Sequence, residues 1–197
     1  MDALLRGIAI GFAIAAPVGP IGLLCISRTL AFGARVGFAS GLGAAFADAL
    51  YGIVAAAGLS AVVLIVRRLD VPLHVSGAIV LVVLGLRTAF SRRMHEASGR
   101  ITPSASSALL STFTLTVVNP ATIVSFAAVV SAAGVNGRFA TAAPFVTGVF
   151  LGSAFWWAAL STGVSLAGNR VTERVRRTIT VGSGIALTAM GVLLLRG

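Results

Sequence analysis

Asp48 is the one acidic residue inside an apolar stretch of membrane-spanning length, residues 36–66. Burying a carboxylate at the centre of a bilayer costs about 2.5–3.5 kcal/mol on insertion scales, so such residues usually face a cavity or a partner. Glycines precede Asp48 at intervals of four residues, which predicts a small-residue seam on the same helix: Gly33, Gly37 and Gly41. We therefore interpret Asp48 as a proton-titrating or cation-binding group that faces other helices.

Two apolar stretches are interrupted by proline at places about 100 residues apart in the chain. The first contains Pro17, Gly19 and Pro20, and the second contains Asn119 and Pro120. Each proline removes a backbone donor and obstructs the preceding helical turn, which frees backbone groups from their helical partners. Such groups at membrane depth bind substrates or ions in transporters with broken helices, and a simple kink is the structural alternative.

Other polar and aromatic residues have both a functional and a structural interpretation. Asp48 has a structural alternative as an ion pair with an arginine such as Arg28 or Arg87. Ser125, six residues after Asn119, is a candidate donor to a substrate, or it bonds back to its own helix. Aromatic residues are candidates for a cavity wall, although such residues more often serve in packing. These aromatic residues are Tyr51, Trp156 and Trp157.

The composition is that of a membrane protein. The chain of 197 residues is 57% hydrophobic and only 10% charged, with a mean hydropathy of +1.02. A soluble domain carries about 25% charged residues, so we predict a single-domain integral membrane protein. The net charge of +10 comes from fifteen basic residues, all arginine, which fits loops that contact lipid headgroups and excludes a nucleic-acid partner. The single cysteine, Cys25, excludes an intramolecular disulfide.

The apolar segments predict an all-α membrane fold of six transmembrane helices, arranged as a 3+3 inverted repeat with proline-broken spans 1 and 4. The segment from Gly43 to Asp48 aligns with the segment from Gly148 to Ser153. Three spans per half make the second half enter the membrane from the opposite side. The single domain, residues 1–197, divides into half 1 (about 1–90), a loop (about 91–107) and half 2 (about 108–197). The predicted spans cover residues 3–26, 36–66, 73–90, 108–133, 144–167 and 178–195.

The distribution of arginines predicts the orientation in the membrane. The loops after spans 1, 3 and 5, with their helix ends, hold ten arginines, against five on the other side. We therefore expect the loop between spans 3 and 4 in the cytoplasm and both termini outside. In this scheme residues 28–35 form a basic turn and residues 169–177 form a basic loop.

Taken in order, several motifs resemble the LysE/RhtB family of amino-acid exporters. The resemblance covers nearly the whole chain in size, number of spans and motif order, and it implies proton-driven export of amino acids or derivatives across a bacterial inner membrane. It also implies that the functional core contains Asp48, Gly19, Pro20, Asn119 and Pro120. The motifs are Gly19-Pro20, Leu23-Leu24, Ser27-Arg28, Gly33, Gly37, Gly43 with Asp48, and Asn119-Pro120.

Two positions depart from the family pattern. Ser125 stands where the basic-amino-acid exporters have a second acidic residue, and Ile21 stands where an amide residue often follows Gly-Pro. One fewer carboxylate is then available to pair a cationic side chain. We therefore prefer a small neutral solute to lysine or arginine as the exported compound.

The sequence contains no His/Glu cluster, nucleotide-binding glycine loop or nucleophile motif, so we expect no enzyme activity, no cofactor and no metal. The expected partners are an amino-acid or small-metabolite substrate, protons and the lipid bilayer, and the prediction leaves a homo-oligomer open. Two alternative functions also stay open. One is a metal or small-ion permease on the same architecture, and the other is a non-transporting membrane scaffold whose glycine seams pack against partner helices.

Overall fold

The computed structural model is all-helical over the residues that it describes, which are 2–17, 19–56, 79, 82–83, 85–86, 103–119, 122, 126, 142–168 and 172–194. The helices are α1 (Asp2–Ala15), α2 (Pro20–Phe32), α3 (Ala34–Ala56), α4 (Ala105–Val117), α5 (Ala142–Ala167) and α6 (Glu173–Leu194).

Two of these helices are long and apolar enough to cross a membrane: α3, with 23 residues, and α5, where the span covers 25 residues from Ala143 to Ala167. The pair α1 and α2 makes a third candidate if the two are counted as one bent span. The remaining predicted spans fall partly outside the described residues. The described part of the chain is therefore that of a helical membrane protein.

The first predicted span consists of two helices, with an angle of 80° between them. Helix α1 ends at Ala15, and Gly19 is the N-cap of α2 with Pro20 in its first turn. Proline suits this place because the first N–H groups of a helix have no intrahelical acceptor and its fixed φ is already helical. Gly19 accepts from the backbone N–H of Leu23 at 3.0 Å, which closes the first turn of the new helix.

The end of the first span differs from the prediction. A basic turn was expected over residues 28–35, but α2 continues through Arg28 to Phe32. The turn is confined to Gly33, whose φ of 88° favours glycine. Gly33 therefore ends α2 and is not part of the glycine seam of α3.

Helices α1 and α5 are parallel and packed backbone to backbone. Gly7 lies against Gly148 and Phe145, and Gly11 lies against Val149, so the residue numbers rise together along both helices. An added Cβ at Gly7 would lie 3.0 Å from the Gly148 Cα. Small residues spaced by four allow this close approach of membrane helices.

Helix α3 packs against α4 on one side and α5 on the other. Gly43 contacts the α4 backbone at Leu109 and Phe113, while Tyr51 reaches the far end of α4, so these two helices are parallel. Gly41 faces Trp157 and Gly52 faces Val149, which makes α3 and α5 antiparallel. Helix α3 is therefore held between a parallel and an antiparallel neighbour.

Two further boundaries differ from the predicted loops. Helix α4 begins at Ala105, and the Ser104 side chain caps it by accepting from the backbone N–H of Ser107 at 3.1 Å. Helix α6 begins at Glu173, so the basic loop predicted over residues 169–177 is shorter than expected. In both cases the helix begins in polar sequence before the apolar run, so hydropathy alone does not show where the helix begins.

Candidate functional site

Asp48 is buried in the interface between α3 and α5, with 3% of its surface exposed. Its Oδ2 accepts a hydrogen bond of 2.7 Å from the Ser153 hydroxyl. Ser153 in turn accepts a hydrogen bond of 3.1 Å from the indole Nε1–H of Trp157. The three side chains form a chain of hydrogen bonds that ends on the carboxylate.

The glycine seam makes room for this chain. A Cβ added at Gly41 would lie 2.6 Å from Cγ of Trp157, closer than side chains pack. Trp157 follows Ser153 by one helical turn, so both side chains point to α3 from the same face of α5. Gly41 thus admits the indole ring that orients Ser153 towards Asp48.

The alternative prediction that Asp48 forms a structural ion pair with Arg28 is wrong. Arg28 lies on α2 and donates to neutral oxygens of α3 and α4, and the described hydrogen-bond partner of Asp48 is Ser153. The guanidinium is also partly buried and not in a solvated basic turn. Arg87, the other candidate partner, lies outside the described residues.

The first helix break lies beside the indole that supports Asp48. Ala15, the last residue of α1, and Ile21, in the first turn of α2, belong to one core cluster with Trp157. Cys25 of α2 and Ala44 and Ala45 of α3 also belong to this cluster. The break therefore meets the Asp48 network through Trp157.

Within the break, the predicted residues differ in their surroundings. Pro17 is exposed, while Gly19 and Pro20 are partly buried. The Pro17 carbonyl accepts from the Gly19 N–H at 2.9 Å, and a Cβ at Gly19 would have open space around it. The structure does not bring Pro17, Gly19 or Pro20 into hydrogen-bond contact with Asp48.

The end of α4 is linked to α3 by Tyr51. The phenol hydroxyl donates to the backbone carbonyl of Val117, the last residue of α4, at 2.5 Å. Its ring also stacks on Phe126, with the ring centroids 5.7 Å apart. Since Tyr51 comes three residues after Asp48, the carboxylate and the end of α4 are connected through a single helical turn. Tyr51 therefore has a hydrogen-bonding role that its prediction as a cavity wall did not include.

Asn119 follows the end of α4 and is buried, with 5% of its surface exposed. Its backbone N–H donates to Thr116 at 3.2 Å, and its carbonyl accepts from Thr122 at 3.1 Å. These short-range bonds replace part of the interrupted helical ladder. Pro120 and Ser125 lie outside the described residues, so their predicted roles stay predictions.

Residues Ser153 and Arg28 were not selected from the sequence as site residues. A usable signal existed for Ser153, because the alignment of the two halves matches it with Asp48. For Arg28 the signals were its place in the Ser27-Arg28 motif and its candidacy as a partner of Asp48, and neither predicted that it would join three helices. Among the described side chains, no group of three or more His, Cys, Asp or Glu could hold a metal ion.

A carboxylate buried between two helices of membrane-spanning length, close to the bend between α1 and α2, is typical of a membrane transporter. A family model described as "LysE type translocator" matches residues 12–197, nearly the whole chain. The chain therefore belongs to the LysE type translocator family, which confirms the resemblance found in its motifs. This is a family of transporters and not of enzymes. No curated protein and no solved structure matches the chain.

Proposed function

We propose that this protein is a secondary active exporter of amino acids or related small metabolites, coupled to protons, in a bacterial inner membrane. The observation that carries the proposal is the position of Asp48, buried between α3 and α5 and close to both the α1–α2 bend and the end of α4. Family membership supports export, and the buried carboxylate supports coupling.

Coupling between substrate and protons follows from the small number of hydrogen-bond donors around the Asp48 carboxylate. A buried carboxylate needs a proton, a cation or several donors, and the described donor here is the single hydroxyl of Ser153. A proton and the ammonium group of an amino acid then compete for the same oxygen atoms. Such competition makes release of one depend on binding of the other, which is the requirement for antiport.

An inverted repeat supplies the two conformations that antiport needs, and several contacts support it. Gly43 packs on Leu109 of α4, while Gly148 packs on Leu4 of α1, and both pairs of equivalent residues differ by 105 positions (148 − 43 and 109 − 4). The same offset relates Asp48 to Ser153. Equivalent residues meet where a two-fold axis passes between them, so we place that axis at the Asp48–Ser153 bond.

Alternating access would then exchange the conformations of the two halves about this axis. The breaks after α1 and α4 give each half a joint close to the carboxylate. In the proposed orientation the loop between spans 3 and 4 is cytoplasmic and both termini are outside. The whole chain forms one transport domain.

Amino-acid efflux from bacterial cells lacking their own exporters tests the proposal. The cells are loaded by dipeptide feeding, and all amino acids are followed at once for the wild type, Asp48→Asn and Asp48→Glu. We expect efflux of one class of amino acid from the wild type, loss of at least about tenfold in Asp48→Asn, and partial activity in Asp48→Glu, which keeps a carboxylate. Membrane abundance of each variant is the control.

Other results of the efflux experiment would contradict particular parts of the proposal. Normal efflux by Asp48→Asn would contradict the coupling role. Failure of that variant to accumulate would favour a structural role for the carboxylate. An inserted wild type that exports no amino acid would reject the proposed substrate class and turn attention to inorganic ions, and then to a scaffold.

A further inference from the structure

Arg28 joins three helices through its guanidinium group. From α2, its Nη1 donates to Ser40 on α3 at 2.9 Å and to Thr112 on α4 at 2.9 Å. The same nitrogen lies 3.1 Å from the carbonyl oxygen of Ala108, and Nη2 donates to Ser111 at 3.0 Å. All four acceptors are neutral oxygens.

These contacts leave part of the guanidinium unused. An arginine has five N–H donors, and none of the hydrogen bonds of Arg28 to the described residues comes from Nε–H, while Nη2 donates to Ser111 alone. Nε and Nη2 form one edge of the planar group, and that edge matches a carboxylate in a bidentate pair. No described carboxylate occupies it, so among the described residues this partly buried positive charge has no counterion.

The position of Arg28 is separate from that of Asp48. Ser40 precedes Asp48 by eight residues, which places the guanidinium about 12 Å along α3 from the carboxylate. That direction leads to the Gly33 turn and to Arg35, which is exposed. In the proposed orientation this is the cytoplasmic end of the helices.

A second polar group lies at the same level on α5. Ser161 follows Ser153 by eight residues, and because α3 and α5 are antiparallel, it is displaced from Asp48 in the same direction as Ser40. Ser161 is 1% exposed, and its hydroxyl has no hydrogen-bond partner among the described residues. A buried hydroxyl without a partner costs free energy unless another molecule meets it.

We propose that Arg28 binds the carboxylate of the exported compound through its Nε–Nη2 edge as the compound enters from the cytoplasm. The inference rests on the proposed function and adds to it the residue that recognises the carboxylate of the substrate. Ser40, Ser111 and Thr112 hold the other side of the guanidinium so that this edge stays open. The substrate then moves about 12 Å to Asp48, where its ammonium group competes with a proton.

Transport into proteoliposomes separates this role from a purely structural one. The twenty amino acids are the first probes, and each transported amino acid is then compared with its carboxamide, which keeps the ammonium group and lacks the carboxylate. Arg28→Gln is compared with the wild type and with Arg35→Gln, a matched loss of one exposed charge from the same end of the protein. Arg28→Lys keeps the charge but not the planar edge.

We expect Arg28→Gln to raise the KM for the amino acid about 10- to 100-fold, with kcat and the KM for the amide little changed. Arg28→Lys should give an intermediate KM, and Arg35→Gln should behave as the wild type. Equal effects of Arg28→Gln on acid and amide, or no effect on either, would overturn the assignment. If Arg28→Gln does not fold, the KM values of Arg28→Lys for the amino acid and for its carboxamide are compared instead, and equal effects on both would overturn the assignment.

The wild type alone provides an independent check. The carboxamide should inhibit transport of its amino acid about tenfold more weakly than the unlabelled amino acid does, and equal inhibition would overturn the assignment. A wild type that transports none of the twenty amino acids would reject the proposed function itself. That failure is seen without any variant, so it is distinct from failure of the Arg28 assignment.

Discussion

Asp48 and Ser153 lie 105 positions apart in the chain and are joined by a hydrogen bond of 2.7 Å. Each lies on a long apolar helix, α3 or α5, and each is buried there. The bond therefore ties together the two helices on which the proposed transport mechanism depends. The consequences for function and packing can be tested one at a time.

Ser153→Ala removes the described donor to the Asp48 carboxylate without adding bulk. We expect transport to fall about tenfold, because a charge-assisted hydrogen bond contributes about 1.5–3 kcal/mol and the carboxylate loses its orientation. Ser165→Ala is the matched control, since Ser165 is exposed on the same helix. Initial rates of efflux at equal membrane abundance measure the difference. An unchanged rate in Ser153→Ala would contradict the role of this bond.

A disulfide between α3 and α5 tests the antiparallel packing and the need for movement. A Cβ added at Gly52 lies 3.7 Å from the Val149 Cβ, within the range for a disulfide. In a Cys25→Ala background, we expect Gly52→Cys with Val149→Cys to form a cross-link that stops transport and to regain activity on reduction. Protease cleavage between the helices followed by gel electrophoresis detects the bond.

The control for this cross-link replaces Val149→Cys by Leu151→Cys, because Leu151 is exposed on the same helix. That pair should remain reduced and active under the same conditions. Efficient cross-linking of the control pair would show that the two helices are not packed as described. A cross-linked Gly52–Val149 pair with full transport would show that this interface does not move.

Gly43→Ala tests the close packing of α3 on α4. The new methyl group would meet the Leu109 carbonyl and lie 2.9 Å from the Phe113 nitrogen, so the helices must separate. We expect a loss of about 1–3 kcal/mol of stability from overpacking, measured as a lower midpoint of thermal unfolding in detergent. Gly163→Ala has open space around it and should be neutral or stabilising by about 0.5–1 kcal/mol. Equal midpoints for the two variants would argue against the described contact.

Tyr51→Phe tests the link between α3 and the end of α4. The variant keeps the ring stacked on Phe126 but leaves the Val117 carbonyl without its phenol donor. The loss of a hydrogen bond to a partly buried acceptor costs about 0.5–1.5 kcal/mol, so we expect lower thermal stability and slower transport. Thr114→Val is the comparison, because among the described residues that hydroxyl donates to the Leu110 carbonyl of its own helix. If both variants behave alike, the Tyr51 bond has no special role at the break.

Much of this architecture could be predicted from the sequence, because long apolar runs and isolated charges are strong signals in a membrane protein. Residues 34–56 are apolar enough that only a spanning helix buries them, and a lone carboxylate within such a helix must face inwards. The glycines of α3 report close packing, and Gly37 and Gly41 do lie against Thr29 and Trp157. The spacing of the glycines and the free-energy cost of burying a carboxylate in the membrane are sufficient to predict these features.

Other features depend on contacts that no local pattern encodes. Arg28 resembled a loop residue because the helix restart at Pro20, which extends α2 to Phe32, cannot be read from hydropathy. Its acceptors come from α3 and α4, more than 80 positions away in the case of Thr112. The bond from Tyr51 to Val117 likewise needs the three-dimensional packing of two helices, and only the repeat gave any indication that Asp48 and Ser153 would meet.

The most direct measurement is transport driven by an imposed pH gradient in proteoliposomes, with wild type and Asp48→Asn compared on the amino acid identified in cells. We predict that the wild type moves this amino acid against its concentration gradient and that an uncoupler abolishes the movement. Asp48→Asn, folded and inserted, should show no response to the pH gradient. A normal pH-driven response in Asp48→Asn would contradict the proposal that Asp48 couples protons to export.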